Sequence, residues 1–120
     1  MASGDSRLRI SNDGDVIRVE FVDRNILDEG NIQQIGDEIL TLVEERDTPR
    51  MLISFASVEH LSSAALGTLI TINKRIRDKG GQLRLTDIDP QIYEVFVITK
   101  LNKLFQIHES ADDALASFSG

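Results

Sequence analysis

The chain has 120 residues, the length of one domain built around one hydrophobic core. Hydrophobic residues make up 41% and charged residues 28%, which predicts a folded domain and argues against both disorder and membrane spanning. A formal charge of −7 opposes the counterion release that drives nucleic-acid binding, so no direct nucleic-acid partner is expected; with no cysteine, disulfides, thiolate metal sites and sulfur redox chemistry are excluded.

Residues 1–6 are small or polar and lack the basic start and apolar run of a secretory leader. A short disordered tail ahead of a domain over residues 7–120 is therefore expected. No stretch approaches the roughly 18 apolar residues of a membrane helix, so no membrane insertion is expected and the location is read as cytoplasmic. Over residues 7–22, Leu8 and Ile10 alternate with Arg7, Arg9 and Ser11, then Asn12, Asp13, Gly14 and Asp15 turn the chain before an apolar run from Val16. The pattern predicts an antiparallel hairpin. Cap-type residues at 28–31 precede Ile32, Ile35, Ile39, Leu42 and Val43 at helical spacing, and this helix ends before Pro49. The short apolar run at 51–55 suits a buried central strand.

A polar loop holding Glu59 and His60 leads to a second helix that starts at Ser62 or Ser63 and stops at Gly80 and Gly81. Leu66, Leu69, Ile70, Asn73 and Ile76 form its expected inner stripe, and Lys74, Arg75, Arg77 and Lys79 crowd its last turns, where cations complement the helix dipole. Residues 82–86 alternate as a strand. Asp89 and Pro90 open a third helix with Ile92, Val95, Phe96 and Thr99 facing inward, ending near Lys100. A last strand covers 105–108, and Ser110 caps a terminal helix whose inner face is Ala114, Leu115 and Phe118. The order β-β-α-β-α-β-α-β-α is an α/β architecture in which the later strands, separated by helices, run parallel.

Enzymatic constellations are missing. Ser62 and Ser63 stand at a strand-to-helix turn, but Leu61 and Ala64 flank them where a nucleophile elbow carries glycines, so no catalytic residue is assigned. Gly80 and Gly81 leave a helix instead of cradling phosphate. The run at 51–57 ends without the Asp of a receiver domain. Two histidines far apart and scattered carboxylates give no metal set, and no cofactor is expected. The segment 60–67, His-Leu-Ser-Ser-Ala-Ala-Leu-Gly, places two hydroxyls at the positive end of a helix, just past the carboxyl end of a buried strand. One of them serves as an N-cap in the plainest account.

Residues 51–67, MLISFASVEHLSSAALG, resemble the central strand, loop and helix start of STAS domains, the fold of anti-sigma factor antagonists, whose signature is Asp-Ser-Ser/Thr-Gly-Leu-Gly. The ending at 95–118, VFVITKLNKLFQIHESADDALASF, and ILDEGNIQQIG at 26–36 are similar to the corresponding family segments, so the resemblance covers nearly the whole chain. It implies a single layer of mixed sheet, about five strands, with helices packed mainly on one face. In the antagonists the first serine of the signature is phosphorylated by a kinase that is also the anti-sigma factor. With Leu66 and Gly67 setting the register, Ser63 falls on the phosphoacceptor, Ser62 replaces the Asp before it, and Ala64 and Ala65 replace the residues after it. Asp28 falls on the acidic residue ahead of the first helix.

What the resemblance implies is a non-enzymatic, partner-switching protein. A surface comprising Asp28, His60, Ser62, Ser63 and Ala64 would bind an anti-sigma factor serine kinase when Ser63 is unmodified and release it when Ser63 is phosphorylated. The family also supplies subunits of lipid-transport complexes and parts of sensors, where phosphorylation is not required. A small enzyme, the remaining alternative, would show a deep polar pocket beside Ser63.

Overall fold

Gly14 and Asp15 form a two-residue loop between strands β1 (Leu8–Asp13) and β2 (Val16–Phe21), which pair antiparallel from Leu8 opposite Phe21 to Asp13 opposite Val16. Gly14 adopts φ +62°, the left-handed geometry that so short a hairpin loop favours. The computed structural model describes residues 8–22, 25–26 and 29–119; the tail expected at 1–6 lies outside them. Beyond the hairpin come β3 (Asn25–Ile26), α1 (Glu29–Glu44), β4 (Arg50–Ser54), β5 (His60–Leu61), α2 (Ser63–Asp78), β6 (Gln82–Thr86), α3 (Pro90–Ile98), β7 (Gln106–His108) and α4 (Ala111–Ser119).

The main sheet has the order β1-β2-β4-β6-β7. Pairing is antiparallel in the hairpin and parallel from β2 onward, as crossovers through helices require. Met51, Leu52 and Ile53 in β4 are all fully buried. Met51 and Ile53 point into the large core shared with α1 and α2, whereas Leu52 points to the opposite face and joins Val16, Ala111, Ala114 and Phe118 beneath α4. Burial on both faces is why this strand reads as an uninterrupted apolar run. Ile92 and Phe96 of α3 belong to the large core, so among the described residues α4 is the helix that covers the second face.

Helices α1 and α2 lie side by side. A Cβ added at Gly36 would stand 2.8 Å from Cγ2 of Thr68, so the seam is closed to within the size of one methyl group. At its far end Arg75 of α2 makes two hydrogen bonds to the Glu44 carboxylate, the Nη2 one at 3.0 Å, and Lys79 adds a contact at 3.7 Å. The Arg75 hydrogen bond lowers the Glu44 carboxyl below its ordinary pKa. Past α2, the Gly80 N–H donates to the Arg77 carbonyl and the Gly81 N–H to that of Ile76, with Gly80 at φ +74°: the helix stops as its two glycines predict.

Several positions differ from the expected pattern. Ile70 and Val95 are turned outward, each 38% exposed, and the buried stripe of α2 is Ala65, Leu66, Leu69, Ile72, Asn73 and Ile76. Apolar residues occur at both 70 and 72, and packing against α1 and the sheet selects the second. Thr99 caps the C-terminus of α3 at the surface instead of facing inward. A 3-10 turn at Leu101–Lys103 follows Lys100, which holds φ +64°. No helix of the described residues is long and apolar enough to cross a membrane.

Candidate functional site

At the carboxyl end of β4 the Phe55 N–H donates to the Thr86 carbonyl and the Val58 N–H to that of Phe55, both at 2.9 Å. The turn buries Phe55 against Phe21, ring centroids 5.1 Å apart, and buries Val58 beside them. Anchored in this way, the chain emerges as β5, parallel to β3, with His60 opposite Asn25 and Ile26 opposite Leu61. His60 therefore stands in a two-residue strand and not in the polar loop expected for it, because a partner segment distant in sequence supplies its backbone hydrogen bonds. Leu61 packs on the large core and aims the following residues at the start of α2.

The structure divides the labour between the two serines. Ser62 is the N-cap, at φ −83° and ψ 165°; its Oγ accepts from the Ala65 N–H at 3.2 Å, and its carbonyl accepts from the Leu66 N–H at 3.1 Å. Ser63 is the first residue of the helix proper, exposed, and its hydroxyl has no hydrogen-bond partner among the described residues. Ala64 and Gly67 are exposed next to it, and a Cβ at Gly67 would meet nothing within 4 Å. The first turn of α2 carries no acidic residue. Its leading N–H groups lack intrahelical carbonyl partners and sit at the positive end of the helix dipole, so an anion on Ser63 would be well placed.

His60, Ser62, Ser63 and Ala64 are thus consecutive along one exit from the sheet, with His60, Ser63 and Ala64 exposed and Ser62 half-buried. Asp28 lies outside the described residues. The space between α1 and α2 beneath this surface amounts to about 10 Å³, walled by apolar side chains including Ile35, Leu61 and Leu69. His108 lies in β7, opposite Thr86 in the main sheet, so the two histidines of the chain sit in different sheets. Sequence reasoning missed one polar cluster nearby. Asp87, at φ +58°, accepts hydrogen bonds from Thr86 Oγ1 at 2.9 Å and Ser54 Oγ at 3.2 Å, tying together the carboxyl ends of β4 and β6. Its only signal was that Ser54 and Thr86 end neighbouring strands in register.

Comparison with known proteins gives a match to the STAS domain family over residues 15–114. BtrV of Bordetella bronchiseptica, which carries the name of an anti-sigma factor antagonist, is 25% identical over 95 residues, 79% of this chain and 81% of its own length. Among solved structures, an anti-sigma-factor antagonist (STAS) domain protein from Planctomyces limnophilus superposes with a TM-score of 0.86 at 22% identity, covering 94% of this chain and 98% of that one. The Bacillus cell fate determinant SpoIIAA in its phosphorylated form superposes at 0.72 with 14% identity, over 92% and 98% of the two chains.

Proposed function

The chain belongs to the STAS domain family, and we propose that it is an anti-sigma factor antagonist that works by partner switching at Ser63. The observation that carries this reading is the contrast between a serine committed to the helix cap and a neighbour that is exposed and uncommitted. Unmodified, the surface of His60, Ser62, Ser63 and Ala64, with Asp28, binds an anti-sigma factor that is also a serine kinase, which frees a sigma factor for transcription in a bacterial cytoplasm. Gly67 supports a docking role: inside a helix glycine costs about 1 kcal/mol relative to alanine, and no packing among the described residues requires it. Its bare backbone leaves room for a partner to approach closely.

Phosphorylation adds about −1.5 to −2 charges and three strong acceptor oxygens. In the free domain the helix N-terminus accommodates them; against a partner that offers no matching cations they must be desolvated, and binding is lost. The Ser at position 62, where the family signature has Asp, is consistent with the same device, since both residues are strong N-caps and the helix still begins at 63. That same departure favours a second reading, a non-catalytic STAS subunit of a lipid-transport or sensor complex that binds partners without a phosphate switch.

Incubation of the chain with ATP and the serine kinase encoded nearest to it, followed by peptide mass spectrometry, tests the assignment. Phosphate is expected on Ser63, and the phosphorylated form should lose the kinase complex while Ser63→Ala keeps it. Phosphate on Ser62, or on neither serine, refutes the switch.

A further inference from the structure

Toward its carboxyl end the outward side of α2 forms a groove of about 510 Å³ with the residue that follows the 3-10 turn: Ile70 and Leu104 are its apolar walls, Asn73 its base, and Lys74, Arg77 and Asp78 its rim. Two of these residues are unusual. Asn73 is only 6% exposed, yet its side-chain amide has no hydrogen-bond partner among the described residues. Its polar atoms keep contact with solvent at the groove, so in the free chain the amide is open to water and available to a ligand. Arg77 is the second. Arg75 and Lys79 are taken up by Glu44, and Lys74 by Asp78 at 3.3 Å, whereas Arg77 has no carboxylate partner among the described residues. In a chain of net charge −7 this is a local site of the opposite sign.

We propose that this groove docks an extended protein segment bearing an aliphatic side chain and, further along, a carboxylate. The aliphatic group fills the space between Ile70 and Leu104, which are 38% and 37% exposed in the free chain. The Asn73 amide, a donor and an acceptor together, pairs with the segment's backbone, and the carboxylate reaches the Arg77 guanidinium in the planar geometry that suits both groups. The helix also sets the spacing. Residues 70 and 77 are seven positions apart, about 10 Å along α2, which an extended strand at about 3.3 Å per residue spans in three steps. The recognised pattern is therefore Leu-x-x-Glu or a close relative. Ile70 lies about 10 Å and Arg77 about 21 Å along the helix from Ser63, beyond the roughly 8 Å Debye length at physiological salt, so docking here is independent of any charge on Ser63. The proposal stands on the groove alone, whether or not Ser63 is a switch.

The test is an NMR titration of the labelled full chain with a capped peptide, acetyl-Ser-Gly-Leu-Ser-Thr-Glu-Gly-amide. Saturable shifts are expected at the Asn73 side-chain amide and the Ile70 and Leu104 methyls, with affinity falling about tenfold for Arg77→Glu and for a peptide with Gln in place of Glu. Asn73→Leu removes the amide without emptying its space, so it should remain folded by circular dichroism and bind the peptide about tenfold more weakly. No shift at about 10 mM peptide overturns the proposal. So do shifts confined to residues 60–67, equal response to a peptide with Ala in place of Leu, or groove shifts that appear on raising the protein concentration alone, which would make the groove a contact between two copies.

Discussion

Replacing each serine in turn at the start of α2 separates a structural hydroxyl from a surface one. Ser62→Ala removes the acceptor of the 3.2 Å bond from the Ala65 N–H, and Ala65 is itself buried, so little water is available to replace the lost partner. Loss of an N-cap costs about 1 kcal/mol, with a range of about 0.5–2. At about 2.1 cal/mol/K per residue a chain of this length unfolds with an entropy near 250 cal/mol/K, so the expected fall in Tm is about 4 °C. Ser63→Ala removes an exposed hydroxyl without a partner among the described residues and installs a better helix former, so it should stay within about 0.5 kcal/mol of the wild type. Ser62→Asp keeps a cap acceptor and puts a negative charge at the positive end of the dipole, and should melt at or above the wild type. Thermal unfolding followed by circular dichroism or calorimetry at neutral pH measures all three. A loss for Ser63→Ala equal to that for Ser62→Ala, or Ser62→Asp melting with Ser62→Ala, would refute the assignment of the cap to Ser62.

Gly36→Ala brings a methyl to within 2.8 Å of Thr68 Cγ2, and overpacking of this kind costs about 1–3 kcal/mol; Thr68→Ser deletes the opposing methyl while retaining the hydroxyl that donates to the Ala64 carbonyl, so the double variant should recover at least about 0.5 kcal/mol in a mutant cycle. The Glu44 carboxyl is held below its ordinary pKa by its hydrogen bond with Arg75, so the pair stabilises the fold above the unfolded-state value and its contribution is lost as pH falls through the lower folded-state value. Urea unfolding should therefore show Glu44→Gln weaker than wild type at neutral pH, with the difference shrinking at pH about 3 and in high salt; an equal gap at both pH values would contradict it.

The hairpin, the three later strands and all four helices were readable from local pattern, because each rests on physics confined to a few neighbouring residues. Alternation around Gly14 specifies the turn, Asp89-Pro90 and Ser110 specify helix starts, and Gly80-Gly81 specifies a stop; all four signals act through backbone geometry or a cap within one turn. The site was readable in part for the same reason. Two serines before a helix mark a cap and its neighbour, though which one caps depends on where β5 leaves the chain, and β5 exists only because β3 pairs with it across a long sequence separation. Two-residue strands carry no periodicity to detect. The same limit applies to α2, where apolar residues at 70 and 72 offer two possible inner faces and contact with α1 selects Ile72, leaving Ile70 to wall a groove. Asn73 was expected to face inward from its spacing. That its amide would find no partner among the described residues, and that Arg77 would be left without a carboxylate among them once Glu44 and Asp78 had taken the neighbouring cations, depends on how α1, α2 and the 3-10 turn come together in space, since charge pairing and burial are properties of the assembled neighbours and not of the segment that carries the residue.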